Sequence, residues 1–215
     1  MSVRFDCDEP DQRREGITQA VAAIRRGQLV VLPTDTVYGV GADAFTPAAV
    51  DALLFAKGRG RDMPVPVLVG SWRTLDGLVD RPPAAARSLV EAFWPGALTI
   101  VLRHTPSLAW DLGESRGTVA VRMPLHPVAI ELLTQTGPVA VSSANRTGMP
   151  PAVTADDAQL QLGGAVAVYL DGGRCADPVP STIVDLTGAA PRLLRPGAVE
   201  VELLRGVLPD LEDAR

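Results

Sequence analysis

The stretch Leu-Val-Val-Leu-Pro-Thr-Asp-Thr at residues 29–36 gives the clearest local indication of the fold. Four apolar residues in a row, ended by a proline, are typical of a strand that is buried on both faces. Hydroxyl and carboxyl side chains follow the strand directly, and Gly39 and Gly41 come soon after. Such groups at a strand end suit a small polar ligand, but an ordinary turn has the same composition. The stretch therefore predicts a buried strand and leaves open whether its loop binds a ligand.

Helix and strand patterns alternate irregularly on both sides of this strand. Residues 11–26 have an apolar face and Gly27 in the position of a C-terminal cap, and Thr46-Pro47 begins a helix that stops at Gly58. Three more helices are predicted, from Arg81-Pro82-Pro83 to about Phe93, at 127–136 and at 199–207. Short apolar runs predict strands at 65–69, 98–102, 119–122, 139–141, 166–170, 183–186 and 193–194. The irregular order and the hairpin-like spacing of some strands predict an α/β fold with a mixed sheet.

The composition is that of a globular protein, with 215 residues, 47% hydrophobic residues, 21% charged residues and a net charge of −5. A chain of this length can bury a core, and no repeat or low-complexity linker divides it. We therefore expect one domain over residues 1–215. The acidic balance argues against a protein whose whole surface grips nucleic acid, although it allows a local basic cleft.

The cysteines and histidines do not have the spacing of metal ligands, so we expect no metal site of the protein's own. Two isolated cysteines, Cys7 and Cys175, are typical of a reducing compartment. The N-terminus has no apolar signal core, and no apolar run approaches twenty residues. These features predict a cytoplasmic protein that does not bind a membrane.

Two short polar motifs are candidates for the chemistry, Lys57-Gly58-Arg59 and Ser143-Ala144-Asn145. Lys57 is the one lysine among twenty basic residues. Two cations with a hydroxyl and an amide suit a triphosphate and a small polar co-substrate. Two ordinary explanations remain open: cations are favourable at the end of any helix, and a Ser-x-Asn turn can satisfy its own backbone. The glycines match neither the dinucleotide-binding nor the Walker A pattern.

Seven segments in a fixed order make the pattern specific. They are Pro-Thr-Asp-Thr-Val-Tyr-Gly (33–39), Lys-Gly-Arg (57–59), Phe-Trp-Pro-Gly-Ala-Leu-Thr (93–99), Thr-Val-Ala-Val-Arg-Met-Pro (118–124), Ser-Ala-Asn (143–145), Ser-Thr-Ile-Val-Asp (181–185) and Leu-Arg-Pro-Gly (194–197). Over about residues 15–205 the chain resembles the YrdC-type threonylcarbamoyl-AMP synthase family in its short, single-domain form. The resemblance implies an open, twisted α/β sheet with flanking helices around a concave central cavity, as in YrdC- and DHBP synthase-like folds.

The resemblance also implies an activity. Members combine L-threonine, bicarbonate and ATP into threonylcarbamoyl-AMP and release pyrophosphate, with Mg²⁺ brought by the ATP phosphates. Other proteins then transfer the threonylcarbamoyl group to tRNAs that read codons beginning with A. Direct RNA binding is a further property that the family's cavity allows.

The site residues follow by matching motifs. The ATP site would contain Lys57, Arg59, Met63, Thr118, Asn145, Val153 and Arg195. The L-threonine site would contain Thr34, Thr36, Arg122, Ser143 and Ser181, with Arg122 as the partner of the carboxylate. Lys57, Arg59, Ser143 and Asn145 are implied as the catalytic group.

The chain departs from the family pattern at several of these positions. Met63 stands where many members have Asn or Lys, Leu68 where they have His, Ser142 where they have Pro, and Val153 where they have Thr. Any polar contact from position 63 would therefore come from its backbone. Two rival functions remain: a non-enzymatic RNA-binding protein, and a paralogue acting in another carbamoylation. The few aromatic residues argue against the first.

Overall fold

The computed structural model describes residues 2–176 and 178–213, which contain ten strands and seven α-helices. The strands are β1 (Val3–Asp6), β2 (Leu29–Leu32), β3 (Gly39–Asp43), β4 (Val67–Leu68), β5 (Leu98–Arg103), β6 (Thr118–Arg122), β7 (Val139–Ser143), β8 (Val166–Asp171), β9 (Thr182–Asp185) and β10 (Arg192–Arg195). The helices are α1 (Pro10–Arg25), α2 (Pro47–Lys57), α3 (Leu75–Leu78), α4 (Ala84–Phe93), α5 (Pro127–Thr136), α6 (Ala155–Leu162) and α7 (Val201–Val207). Short 3₁₀ helices cover Trp72–Thr74 and Gly163–Ala165. None of the helices in the described ranges is long and apolar enough to cross a membrane.

All ten strands belong to one open, mixed sheet in the order β1-β8-β2-β3-β7-β4-β6-β5-β9-β10. The parallel pairs are β1 with β8, β2 with β8, β4 with β6 and β5 with β9. The other five neighbouring pairs are antiparallel. The predicted α/β fold with a mixed, open sheet is confirmed.

Apolar clusters cover both faces of this sheet, because successive side chains of a strand point to opposite faces. Leu29 and Val31 of β2 pack in one cluster, whereas Val30 and Leu32 pack in the other. Helices α2, α3, α4, α6 and α7 complete the first cluster, and α1 and α5 complete the second. The second cluster reaches strands β2, β4, β7 and β8 but not β5, β6, β9 or β10. Among residues 2–176 and 178–213, apolar residues therefore cover one sheet face over half of its width and leave the other half open.

The predicted helices at 11–26, 47–57 and 127–136 agree with α1, α2 and α5 to within a residue or so. Gly27, expected at the end of α1, has the positive φ of 72° that such a position favours. At the start of α2 one detail differs. The Thr46 hydroxyl makes no cap to the helix and instead donates to Asp43 Oδ2 at 2.7 Å.

Several elements were not predicted, among them β1, β3, α3 and α6. The glycine-containing segment at 39–41, interpreted from the sequence as part of a loop, lies in β3 and pairs with both β2 and β7. The strand expected at 65–69 is shortened to Val67–Leu68. Pro66 accounts for the late start, since proline has no backbone N–H to donate to a neighbouring strand. The last helix begins at Val201 rather than at 199.

Candidate functional site

The candidate site is a cavity of about 390 Å³ on the open half of the sheet. Its floor is built from alternate residues of adjacent strands: Thr99 and Val101 of β5, Ala120 and Arg122 of β6, and Ile183 of β9. The intervening residues of β5 and β6 point to the opposite face and belong to the core. The missing cover of helices on this half thus exposes a concave surface of the size that small-molecule ligands occupy.

Seven of the twelve predicted site residues line this cavity, namely Thr34, Thr36, Arg59, Arg122, Ser143, Ser181 and Arg195. They come from six separate segments of the chain, and three of them are arginines. A larger cavity of about 490 Å³ lies against α3 and α4 and contains none of the predicted residues. Convergent cations and hydroxyls, rather than volume, therefore identify the smaller cavity as the candidate site.

Arg122 is the most deeply buried cation in this group, with its side chain 8% exposed. Its Nη2 donates to Asp35 Oδ1 at 2.6 Å, its Nη1 to Thr36 Oγ1 at 2.9 Å and its Nε to the Gly96 carbonyl at 2.9 Å. Burial lowers the pKa of Arg122, the Asp35 carboxylate opposes this effect, and Arg195 adds to it. Since a guanidinium carries five N–H groups, two remain available to a ligand.

Arg195 and Ser181 form a second polar group on the wall. Arg195 donates through Nη2 to the Ser181 carbonyl at 2.7 Å and to Ser181 Oγ at 3.1 Å. Ser181 Oγ also lies 2.8 Å from Thr99 Oγ1. Burial lowers the pKa of Arg195. Arg195 and Arg122 line the same cavity, and Arg195 contributes to the lowered pKa of Arg122, so the two positive charges together favour an anionic ligand.

Arg59 reaches the opposite wall of the cavity from the end of α2. Its Nη1 donates to Ser142 Oγ at 3.2 Å, and its Nε donates to the Met63 carbonyl at 3.0 Å. Burial lowers the pKa of Arg59, and Asp62 partly offsets this. Within the described residues neither Arg59 nor Arg195 has a carboxylate within ion-pair distance, so both can pair with an anionic ligand.

The loop after β2 brings two hydroxyls to the same cavity. Thr34 and Thr36 are buried, and their Oγ1 atoms lie 3.0 Å apart. Thr34 Oγ1 donates to the Val37 carbonyl at 2.7 Å, which turns the chain back on itself. Thr36 Oγ1 accepts from Arg122, so the loop and strand β6 are joined at the site. The loop therefore forms a turn and also presents hydroxyls to the cavity, while ligand binding by it stays a prediction.

The other five predicted residues do not line the cavity. Lys57 is buried, and its ammonium donates to backbone carbonyls of the 143–145 segment. Asn145 is also buried, with Nδ2 donating to the carbonyls of residues 146 and 149. Thr118 lies at the other end of β6 from Arg122, where its hydroxyl donates to the backbone at 2.7 Å. Val153 packs against the core and Met63 is 40% exposed. Both side chains are apolar, and the polar contacts at these positions are made by the Met63 carbonyl and the Val153 N–H.

Four polar groups of the site were not assigned from the sequence. The Asp35 carboxylate and the Gly96 carbonyl both accept hydrogen bonds from Arg122. Thr99 forms a hydrogen bond with Ser181, and Ser142 accepts one from Arg59. Asp35 had a usable signal, because a carboxyl group after a buried strand can pair with a cation emerging from another strand end. The other contacts depend on strand order, which the sequence pattern does not specify.

Comparison with known proteins finds a matching family model and several similar proteins. The Sua5_yciO_yrdC family model, described as telomere recombination, matches residues 22–197. A Mycobacterium tuberculosis protein, named provisionally as a threonylcarbamoyl-AMP synthase, is 64% identical over 97% of this chain and 96% of its own length. The threonylcarbamoyl-AMP synthase of Bacillus subtilis is 38% identical over 94% of this chain. The alignment covers 59% of that longer relative.

A solved structure resembles the fold closely. The structure of Pyrococcus abyssi Sua5 complexed with L-threonine superimposes with a TM-score of 0.92 at 35% sequence identity. The match covers 99% of this chain and 62% of that chain. The described fold thus corresponds to one part of a longer protein that binds L-threonine.

Proposed function

This chain belongs to the Sua5/YciO/YrdC family, and on that premise we propose that it is a threonylcarbamoyl-AMP synthase. The reaction joins L-threonine, bicarbonate and ATP and releases pyrophosphate. The observation that carries the proposal is the convergence of Arg59, Arg122 and Arg195 on one cavity with seven hydroxyl-bearing residues, four of which were predicted from the sequence. All three substrates are anionic or carry a carboxylate, so cations with few competing anions suit them.

The L-threonine subsite is centred on Arg122. Its two unused N–H groups bind the substrate carboxylate, while Asp35 and the Gly96 carbonyl fix the plane of the guanidinium. Hydroxyls at Thr34, Thr36, Ser143 and Ser181 complete the subsite, and they match the small polar side chain of threonine. A rigidly held guanidinium loses little side-chain entropy when the substrate binds.

The ATP subsite uses the two arginines that lack a carboxylate partner in the described part of the chain. Arg59 and Arg195 bind the phosphates from opposite walls of the cavity, and the motifs add Thr118, Asn145 and the backbone at Met63 and Val153 outside the residues that line it. The motif would also place Lys57 here, but its ammonium donates to the carbonyls of Ser143 and Asn145 and it does not line the cavity. Mg²⁺ enters as part of the MgATP substrate, bound mainly by phosphate oxygens.

The chemistry needs no nucleophile from the protein. The threonine ammonium gives one proton to solvent, and the neutral amine adds to the bicarbonate carbon. The bicarbonate hydroxyl then leaves with an amine proton as water, so a carbamate is formed. A carbamate oxygen then attacks the α-phosphorus of ATP, and pyrophosphate leaves with its bonding electron pair. The protein contributes by holding the two reactants together and by neutralising the charge that develops on pyrophosphate. Orientation of this kind lowers a barrier by about 7–11 kcal/mol at best, which makes a covalent intermediate unnecessary.

The product is a mixed anhydride, which is an activated acyl donor. We place this reaction in the cytoplasm, upstream of separate proteins that transfer the threonylcarbamoyl group to tRNAs reading codons that begin with A. Those tRNA-modifying proteins are the proposed downstream partners.

The test is pyrophosphate release by the purified protein with ATP, Mg²⁺ and bicarbonate, in the presence and absence of L-threonine. Release that requires both threonine and bicarbonate is expected. Arg195→Met should remove most of it, whereas Arg205→Met should not, since Arg205 is surface-exposed and pairs with Asp213. If the folded wild-type protein releases no pyrophosphate above background, the synthase assignment is wrong. Salt-dependent RNA binding in that case would favour the RNA-binding alternative.

A further inference from the structure

The two halves of the sequence motif, Lys57-Gly58-Arg59 and Ser143-Ala144-Asn145, are in direct contact. Lys57 Nζ donates to the Asn145 carbonyl at 2.6 Å and to the Ser143 carbonyl. The Thr147 N–H donates back to the Lys57 carbonyl at 2.8 Å. The end of α2 and the segment that follows β7 are therefore tied together from both sides, through a side chain and through the backbone.

Lys57 and Arg59 point to different places because Gly58 separates them. Gly58 ends α2 in the left-handed region at φ 62° and ψ 41°, and the Arg59 N–H donates back to the Leu54 carbonyl at 2.9 Å. This turn directs Arg59 to the cavity wall, whereas Lys57 stays on the helix and faces the 143–145 segment. The shared motif therefore carries two cations with different surroundings.

The donors of Lys57 are used within the protein. An ammonium has three N–H groups and no acceptor, and two of them reach the Ser143 and Asn145 carbonyls. The Ser143 hydroxyl lies 3.5 Å from Nζ and is the nearest group to the third. Lys57 is 3% exposed and does not line the cavity. Two of the three donors could therefore bind a phosphate only if it displaced the carbonyls, and the third lies behind the Ser143 hydroxyl.

The 143–145 segment requires a donor at this position. The carbonyls of Ser143 and Asn145 converge on one point, so their negative ends repel each other unless a positive group lies between them. The Asn145 N–H also donates to the Ser143 carbonyl at 2.8 Å, and the Ala144 N–H donates to the Tyr38 carbonyl at 2.7 Å. These bonds fix a tight turn in which the Ser143 carbonyl accepts from both Lys57 and the Asn145 N–H, whereas the Asn145 carbonyl accepts from Lys57. A buried carbonyl without a donor costs about 1–3 kcal/mol.

We propose that Lys57 is a positioning residue, whose ammonium fixes the carbonyls of Ser143 and Asn145 and so holds the Ser143 hydroxyl at the cavity wall. It acts on both substrates through this segment and does not contact the phosphates of ATP. Arg59 is the member of the motif that reaches the nucleotide. The substrates named here rest on the proposed function, but the contact between Lys57 and the segment does not.

The test compares Lys57→Met, which keeps the length of the side chain and removes its charge and donors, with Arg59→Met. Arg14→Met is the matched control for loss of one positive charge, because Arg14 is 78% exposed and far less constrained. Amide hydrogen exchange at residues 143–147 is measured without substrates, and equilibrium binding of ATP and of L-threonine is measured separately. In Lys57→Met we expect exchange at these amides to accelerate at least about tenfold and both affinities to fall. In Arg59→Met we expect ATP affinity alone to fall, with exchange unchanged.

One result overturns the proposal: Lys57→Met weakens ATP binding only and leaves exchange at 143–147 and threonine affinity as in the wild type. If Lys57→Met does not fold, the proposal can still be tested on the wild-type protein. The pKa of Lys57, followed by NMR, should change little when ATP binds, whereas direct phosphate contact would raise it by at least about one pH unit. The exchange measurement needs no turnover, so it can fail or succeed independently of the synthase activity.

Discussion

Replacing Asp35 by asparagine tests whether the buried ion pair with Arg122 organises the threonine subsite. The side chains of Asp35 and Arg122 are 16% and 8% exposed, and Oδ1 accepts from Nη2 at 2.6 Å. The same oxygen accepts from the Leu125 N–H at 2.9 Å. Asparagine has nearly the same shape and keeps one oxygen for these two donors, so Asp35→Asn removes the charge and little else.

The magnitude follows from what asparagine retains. Removing one partner of a buried ion pair destabilises a protein by about 3–5 kcal/mol, because the other charge is left without compensation. Two hydrogen bonds are kept here, and a hydrogen bond to a charged group contributes about 1 kcal/mol more than a neutral one. We therefore expect Asp35→Asn to lower the free energy of unfolding by about 2 kcal/mol. For a chain of this length that corresponds to a fall in Tm of about 4–8 °C.

L-threonine should recover part of this loss, because its carboxylate takes the place of the missing negative charge beside Arg122. Thermal unfolding is followed with and without saturating L-threonine, and the rise in Tm should be larger in Asp35→Asn than in the wild type. Asp156→Asn is the control, since Asp156 pairs with Arg4 at the surface and is 70% exposed. That change should alter stability by less than about 1 kcal/mol. The reasoning fails if Asp35→Asn is as stable as the control, or if threonine stabilises it no more than the wild type.

Two further predictions concern the rest of the site. Burial lowers the pKa of Lys57 from 10.5 to about 8. Between these two pH values the unfolded chain binds more protons than the folded protein, so the free energy of unfolding rises with pH and the cost of burying Lys57 decreases above pH 8. Urea unfolding at about pH 7 and about pH 9.5 should show that the wild type gains stability relative to Lys57→Met at the higher pH. The prediction is wrong if the difference between their free energies of unfolding is the same at both pH values. In Gly197→Ala, the new Cβ would lie 2.3 Å from the Pro180 carbonyl oxygen and 2.6 Å from the Thr182 nitrogen. Since both are backbone atoms, we expect a loss of about 1–3 kcal/mol in urea unfolding together with weaker threonine binding, and a variant as stable as the wild type would refute the close approach.

The helices and central strands could be predicted because their signals are local. Gly27 and Pro47 mark helix ends directly. An apolar run such as Leu29–Leu32 predicts a buried strand whichever strands lie beside it in the sheet. Strand β3 could not be predicted in this way. A Cβ at Gly39 or Gly41 would lie 2.7 Å or 2.8 Å from the side chains of Val141 or Val139, so the glycines let β3 and β7 approach closely. A sequence that is read locally shows only two glycines, which predict a turn.

Helix α6 was missed for a different reason. Its start has a complete capping box, in which Thr154 Oγ1 accepts from the Asp157 N–H at 3.1 Å and Asp157 Oδ2 accepts from the Thr154 N–H at 3.0 Å. This signal was available, but aspartate is less usual than glutamate at the third position. Strand β1 lies at the edge of the sheet with mostly exposed side chains, so it lacks the buried pattern that identifies strands.

The residues that line the cavity were predicted better than the contacts that they make with one another. Matching motifs selected all three arginines of the cavity, because each motif places its cation at a strand or helix end. Which cation meets which partner depends on the neighbours of β7 in the sheet, β3 on one side and β4 on the other. Those neighbours bring the 143–145 segment beside the end of α2, which is 86 residues away in the chain at the Lys57–Ser143 contact. Spacing alone presents Lys57 and Arg59 as an equivalent pair for phosphate, and only the packed structure gives them different partners. The comparison of Lys57→Met with Arg59→Met therefore tests a distinction that arises from topology, since a motif-based assignment expects the same loss of ATP binding from both.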